Sequence, residues 1–473
     1  MNQNLNKSII DYLKNYGFII LNSEIYGGLE NAWDYGPLGT MLKNNIRDLW
    51  WDFFIKRDPN VYPMDSSIIV KNDVWKASKH LENFNDLLID CKECKNRFRV
   101  DHFLNNFNYH NIENKTPLEI NQIINNDPKI QCLNCNKKNF TKVRKFNLMY
   151  KTLAKFDHES NDDGFFLRPE TAQNIFINYK TIQRITRAKL PFAIAQVGKA
   201  FRNEITIGNS IFRTREFEQM ELEWFCKPED ANIIFEKQLT KIKNFLFNLL
   251  KLDENKIFIN EIDPDNLAHY SNRTIDIEYQ FAHGQAELWG LANRTDFDLK
   301  NHQTMANQDL SYFDDQNKIR FIPYVIEPSV GLNRLLLAVI TNFYQLEQIS
   351  DTDSRILLKL PVYLAPYSVA VLPLTKKQEQ LAKLIWYDLI NHGFSITYDL
   401  KGSIGKRYRR NDAIGTPFCL TIDFNTYDET RDDINKIDLN NCSMTIRYRD
   451  SMKQDRISYF DFKKFLMKQL NPF

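Results

Sequence analysis

The sequence predicts an α+β chain with a smaller α/β domain at its C-terminal end, on three observations. Residues 192–201 and 217–225 read as strands joined by a polar loop. Side chains alternate along a strand, so Phe217, Gln219 and Glu221 share one face, and Glu218, Met220 and Leu222 the other. Apolar residues at Phe235, Leu239, Ile242, Leu246 and Leu249 recur at helical spacing and mark a long amphipathic helix. Beyond residue 366, short apolar runs alternate with a helical pattern, as expected of a small α/β unit.

In chain order, Ile9, Ile10, Leu13 and Phe18 give residues 8–21 near-helical spacing. A second helix is expected after Gly39, with Leu42, Ile46, Leu49 and Phe53 on one stripe, followed by a strand between Val61 and Val70. Residues 91–145, rich in Asn and Lys and bracketed by cysteine pairs, read as an inserted subdomain with a polar tract at 105–127. The main body resumes near Phe165, with further strands at 286–291 and 324–326 and a helix at 331–341. A boundary is expected near 360–366. After it come strands at 369–372, 394–399, 418–424 and 443–449, a helix at 376–391, a basic segment at 401–410 and a closing helix. No internal repeat is evident.

The 473 residues suffice for two or three domains with their own cores. The 62 basic and 60 acidic residues leave a formal charge of +2, so a nucleic-acid partner is expected to meet local basic patches. No apolar run reaches the roughly 18 residues of a membrane span, and the N-terminus lacks the apolar core of a secretory signal. Four of the seven cysteines form two Cys-x-x-Cys pairs, which points to metal binding in a reducing, cytoplasmic setting.

The loop between the first two strands is richest in chemistry. Arg202, Asn203 and Glu204 open it, and Phe212, Arg213, Thr214, Arg215, Glu216 and Phe217 close it. Guanidinium forks fit phosphate oxygens. A ring can stack a base, with the amide of Gln219 and the carboxylate of Glu221 lying deeper on the same face. Such a site suits a nucleoside triphosphate beside a small cationic group.

These residues resemble motif 2 of the class II aminoacyl-tRNA synthetases. Tyr35 to Gly39 (YGPLG), Arg168 to Gln173 (RPETAQ), Arg294 to Leu299 (RTDFDL), Glu327 to Arg334 (EPSVGLNR), Gly405 to Asp412 (GKRYRRND) and Gly415 to Phe418 (GTPF) are similar to the dimeric type of glycyl-tRNA synthetase. The resemblance runs from about Tyr35 to the C-terminus. It implies an antiparallel-sheet catalytic domain over residues 1–360 that carries the cysteine-rich insertion, and an anticodon-binding domain over 361–473. It also implies a cytoplasmic homodimer that activates glycine with ATP and transfers it to tRNA(Gly). Helix then strand is how motif 1 builds the dimer interface, with Pro63 a candidate for its proline. A non-catalytic nucleic-acid-binding relative is the alternative; such a protein could lose Arg202 and Arg334, and both are present.

By the same resemblance, Arg202 holds the α-phosphate and the amino-acid carboxylate and pairs with Arg334 of motif 3 as the catalytic residues. Glu204 accepts from the adenine amino group, and Phe217 stacks on the ring. Asn203, Phe212 to Glu216, Glu287, Leu288, Gly331, Leu332 and Asn333 complete the ATP site. Magnesium prefers oxygen ligands, and Glu287, with Glu221 or Glu218, is available. The absent side chain of Gly331 is expected to admit close approach. Glycine offers only an ammonium and a carboxylate, so its site needs acids and filled space. Glu170, Glu221 and Glu327 supply the acids, and Ser329 is small and polar. Arg99, Phe217, Glu218, Gln219, Met220, Pro328, Val330 and Gly331 complete that set. Rejecting larger amino acids by filled space calls for no editing domain.

Cys91, Cys94, Cys132 and Cys135 match a tetrahedral structural zinc site by ligand type, with reduced structural cysteines as the other reading. His102 and His110 are alternative ligands. Lys406, Arg407, Arg409 and Arg410 interleave with Tyr408 in what reads as a basic loop. Such a loop suits RNA phosphates and bases.

Overall fold

The amphipathic stripes of the N-terminal helices and of the 231–244 helix meet in one core built on a seven-stranded sheet. The computed structural model describes residues 2–473 apart from 111, 113–114, 153–164, 206–207 and 427–436. Helices α1 (Asn2–Asn15) and α2 (Pro37–Trp51) bury Ile9 and Leu13, and Leu42, Ile46 and Leu49, in the main core. Helix α2 starts two residues before Gly39, because Pro37 at the first helical position has a preset φ and no amide to satisfy. Gly39 is there for a steric reason: a Cβ would fall 1.8 Å from the carbonyl oxygen of Phe18.

The sheet is built from β1 (Val61–Pro63), β2 (Phe192–Phe201), β3 (Glu216–Cys226), β4 (Ile257–Glu261), β5 (Arg273–Phe281), β6 (Gly284–Thr295) and β7 (Tyr324–Gly331). Their order is β4-β5-β6-β7-β3-β2-β1, antiparallel except where β1 runs parallel to β2. One face carries α2, α3 (Ala231–Asn244) and α4 (Leu332–Phe343), with Met220, Leu222 and Trp224 of β3 beneath them. The other face is covered at one end by the Ala172–Thr186 and Phe297–Ala306 helices over Phe192, Ile194, Phe225 and Val325. The uncovered remainder of that face is where the pocket lies.

The insertion has its own core around Ile89, Phe103, Leu104, Ile120, Ile124 and Val143. It begins earlier than Cys91, since the strand Asn85–Asp90 is the centre of its three-stranded sheet. The polar tract contains a helix, Pro117–Asn126. The Thr116 side chain accepts from the Glu119 amide, and the Glu119 carboxylate accepts from the Thr116 amide.

A hairpin, β8 (Tyr344–Ser350) and β9 (Asp353–Leu358), leads into the C-terminal unit. There the strands Ile396–Tyr398, Val369–Pro373, Phe418–Ile422, Ser443–Tyr448 and Gln454–Ser458 lie side by side in that order. The last of them was not expected. The basic segment is no loop but a helix, α5 (Ile404–Ile414). Arg407 is 2% exposed and donates to the carbonyls of Pro373, Leu374 and Asp399. The Tyr408 hydroxyl meets Thr421 at 2.6 Å, while Arg409 pairs with Asp353 and Arg410 with Asp399. A guanidinium whose donors serve backbone carbonyls is core structure, so Arg407 and Tyr408 are not free to meet RNA. Lys406 remains exposed.

Candidate active site

A cavity of about 430 Å³ opens on the uncovered face of β3, β6 and β7, a volume ordinary for a small-molecule site. Strand alternation decides what faces it. From β3 come Phe217, Gln219 and Glu221, and from β7 Glu327, Ser329 and Gly331. The neighbouring positions point away. Met220 and Val330 are sealed in the main core, and Glu218 turns to Lys43 at 2.6 Å across the sheet. Pro328 does not line the cavity either. These four therefore do not join the amino-acid set, and Glu218 is unavailable to a metal there.

The loop after β2 supplies one wall through Arg202, Glu204, Phe212, Arg213 and Thr214. The Arg202 guanidinium lies 5.3 Å from the Phe217 ring centre and 5.4 Å from that of Phe84, and its Nε donates to the Pro169 carbonyl at 3.0 Å. It is thus held between two rings in the cavity wall. Asn203, Arg215 and Glu216 do not line the cavity. The Asn203 backbone amide donates to the Leu148 carbonyl, just beyond the insertion, at 2.7 Å, the Arg215 carbonyl accepts from the Arg202 backbone amide, and Glu216 pairs with Lys199 on the surface.

Opposite stands Arg334 in the first turn of α4. Its Nη1 holds the Glu287 carboxylate at 2.9 Å, and its guanidinium lies 4.5 Å from the Phe212 ring centre. Glu287, Leu288 and Asn333 also line the cavity, whereas Leu332 is fully buried in the core. A Cβ on Gly331 would only touch Arg334 carbons at about 3.8 Å, so the protein itself does not require glycine there. The free space is on the ligand side.

The floor is a carboxylate cluster. Glu221 accepts from Ser329 Oγ and Gln219 Nε2 at 2.9 Å each, and from the Thr171 hydroxyl and amide. Those bonds commit it to the floor rather than to a metal. Burial and then Glu170 push its acid up, against the Thr171 and Ser329 bonds. Glu170 moves the other way: burial opposes ionisation, but His80 at 3.3 Å, Arg294 and Arg202 hold it well below the usual range. Arg294, whose role the sequence left open, is 3% exposed. It bridges Asp298 at 2.7 Å and Glu327 at 2.6 Å, with its plane 3.9 Å from the Tyr270 ring centre.

Of the lining residues that the motifs do not include, Tyr270 and Asp276 carry titratable groups. Tyr270 sits in an irregular turn with no motif around it. Asp276 lies on β5, where the alternation Ile275, Asp276, Ile277, Glu278 did advertise a polar face. Burial, then Glu287 and Glu278, push Asp276 up to about 6. With Glu287 it gives the cavity two carboxylates suited to a hard cation. Arg99 lies outside the cavity, on the edge of the inserted sheet, bound to Asp101 at 2.8 Å and 3.7 Å from Asp86.

The four cysteines of the insertion do converge. Cys91 and Cys135 sulfurs lie 3.6 Å apart, Cys94 and Cys132 sulfurs 3.5 Å, and all four within 4.8 Å of one another. The edge of a tetrahedron with Zn–S of about 2.3 Å is about 3.8 Å, so the sulfurs fit a zinc ion. Neither His102 nor His110 belongs to the group among the described residues; His102 faces Asp101, and His110 faces Asn105.

Residues 150–343 match the family model of the tRNA synthetase class II core domain (G, H, P, S and T), and residues 368–469 that of the anticodon binding domain. A protein of Malacoplasma penetrans named glycine–tRNA ligase is 50% identical, covering 98% of this chain and 97% of its own. Another so named, from Mycoplasma capricolum, is 49% identical over 98% of this chain and 99% of its own. A crystal structure titled as the RNA binding domain of threonyl-tRNA synthetase from Cryptosporidium parvum Iowa II superposes with a TM-score of 0.64. It is 16% identical and covers 97% of both chains, a likeness of fold.

Proposed function

Because this chain belongs to the glycine–tRNA ligases, class II synthetases with an anticodon-binding domain, we propose that its cavity joins glycine to ATP as glycyl-adenylate and then passes glycine to the 3′ end of tRNA(Gly). The observation that carries the substrate assignment is the floor. Glu170, Glu221 and Glu327 converge beside Ser329, where the ammonium of a small amino acid would dock.

Adenylate formation is an in-line displacement at the α-phosphorus by the glycine carboxylate, so the residues position and neutralise rather than exchange protons. Arg202 draws the carboxylate and α-phosphate together from the β2 side. Arg334 closes on the nucleotide from the opposite side, and Phe217 offers its face to the adenine with Glu204 beside it. Glu287 and Asp276 would hold magnesium, which when bound neutralises phosphate charge. No group near Arg202 need act as a base, because the attacking carboxylate is already ionised.

A zinc ion on Cys91, Cys94, Cys132 and Cys135 would tie the insertion together as a closed structural site. We further assign catalysis to residues 1–360 and anticodon contact to 361–473, in a cytoplasmic homodimer. Ile25 and Tyr26, 87% and 86% exposed near the N-terminus, are apolar surface suited to burial against a second copy. No described helix is long and apolar enough to cross a membrane. The deciding experiment is ATP–pyrophosphate exchange with each amino acid in turn. Glycine alone should support it, and equal exchange with alanine or serine would refute the assignment.

A further inference from the structure

Behind the floor lies a carboxylate with no task in that scheme. Glu223 is 0% exposed, does not line the cavity, and among the described residues neither of its oxygens meets a hydrogen-bond donor. It follows Glu221 by two residues on β3 and so faces the same side. The register that pairs Glu221 with Ser329 and Trp224 with Ile326 sets it opposite Glu327 on β7. Facing residues on antiparallel neighbours hold their Cβ atoms about 4.5–5.5 Å apart, where like charges repel.

The groups around the pair cannot neutralise two charges. Glu221 on β3, Glu170 and Asp298 are acidic, and Tyr270 is neutral. Among the described residues Arg294 is the cation facing them, and it already divides itself between Glu327 and Asp298. A buried carboxyl without a partner takes up a proton rather than remain charged.

We propose that Glu223 and Glu327 retain a proton between them while the cavity is empty, and that the docking ammonium of glycine expels it, coupling substrate binding to proton release. This rests on the reading of the cavity as the glycine site. The ammonium keeps its own protons, and the carboxyl proton leaves for solvent. Glu223 acts through Glu327 and is a positioning residue: it makes the ammonium site one that gains charge only when occupied. Burial, and then Glu327, hold Glu223 well above the usual carboxylate range. Burial also pushes Glu327 up to about 8, although Arg294 opposes it. The titration belongs to the pair rather than to either member.

The sign follows from linkage. An empty site that holds a proton which the occupied site lacks binds glycine better as pH rises, by at most about tenfold per pH unit for one proton, until the empty pair has lost that proton. The test is calorimetric titration of the full-length protein with glycine between roughly pH 7 and pH 9, in buffers of different ionisation enthalpy. It is paired with KM and kcat of glycine-dependent exchange over the same range. Wild type should release up to one proton per glycine, with KM falling as pH rises while kcat holds. Glu223→Gln, which keeps the shape and removes one carboxyl, should release clearly less and show a flatter KM profile. Heats independent of buffer in the wild type overturn the proposal, as does equal release by both proteins. If Glu223→Gln fails to fold, the wild-type heats and KM profile decide alone. Absence of any glycine binding or exchange in the wild type would instead remove the glycine reading, a result distinct from buffer-independent heats.

Discussion

Arg355, on the hairpin leaving the catalytic body, donates to Asp412 of helix α5 at 2.9 Å, with the two side chains 1% and 0% exposed. Arg447 grips the same carboxylate at 2.7 Å and 3.0 Å. Truncating one partner of a buried ionic contact leaves the others charged and unpaired, at a cost of about 3–5 kcal/mol. Asp412→Ala should therefore lower the urea midpoint of the C-terminal unit and slow tRNA charging more than glycine-dependent exchange. An unchanged midpoint would mean that this node adds no net stability.

Two glycines should behave oppositely. At Gly39 a methyl group collides with the Phe18 backbone, which cannot yield without moving α2, so Gly39→Ala should lose at least about 1–3 kcal/mol. Gly331→Ala meets only ordinary contact at 3.8 Å, so the melting temperature should hold while KM for ATP or glycine rises. Thermal melts beside exchange kinetics separate the two, and a large drop in melting temperature for Gly331→Ala would place its constraint in the fold.

Arg202→Ala removes the guanidinium at the cavity mouth and a single hydrogen bond to Pro169. Loss of one preorganised charge donor from a transition state typically lowers kcat by about 10²–10³-fold, against about 1 kcal/mol of stability for the hydrogen bond. Exchange should drop by that factor in a protein that still melts cooperatively. Near-normal exchange would displace Arg202 from the reaction.

Zinc should copurify at one equivalent per chain. Cys132→Ser with Cys135→Ser should release it and raise amide exchange across 91–145, because metal binding energy is folding energy for such a unit. Protein purified without chelator and found free of metal would leave reduced cysteines as the reading.

How far the sequence was legible depended on whether a residue's task was local. Period-two alternation placed Phe217, Gln219 and Glu221 together because a strand's geometry leaves no choice once it forms. The same rule turns Met220 and Val330 inward, yet the contiguous motif ME or SVG conceals it. Arg294 could not be assigned because its partners lie four and 33 residues away and meet only in the folded sheet. The 401–410 segment looked like a solvated loop because five basic residues outweighed its apolar content. Burying the Arg407 stem, with its head on three carbonyls, makes a helix that hydropathy alone would not credit.

Strands β3 and β7 give their odd-numbered positions 217 to 221 and 327 to 331 to the ligand side, while Met220, Leu222, Ile326 and Val330 between or beside them face the interior. Recognition and folding are thereby written on the same two strands in interleaved columns. A library randomised only at the odd positions could explore new amino-acid preferences with the interior untouched. Insertion of one residue into either strand would swap the columns wholesale. Point substitution is thus the open evolutionary route for this cavity, and length variation is closed to it.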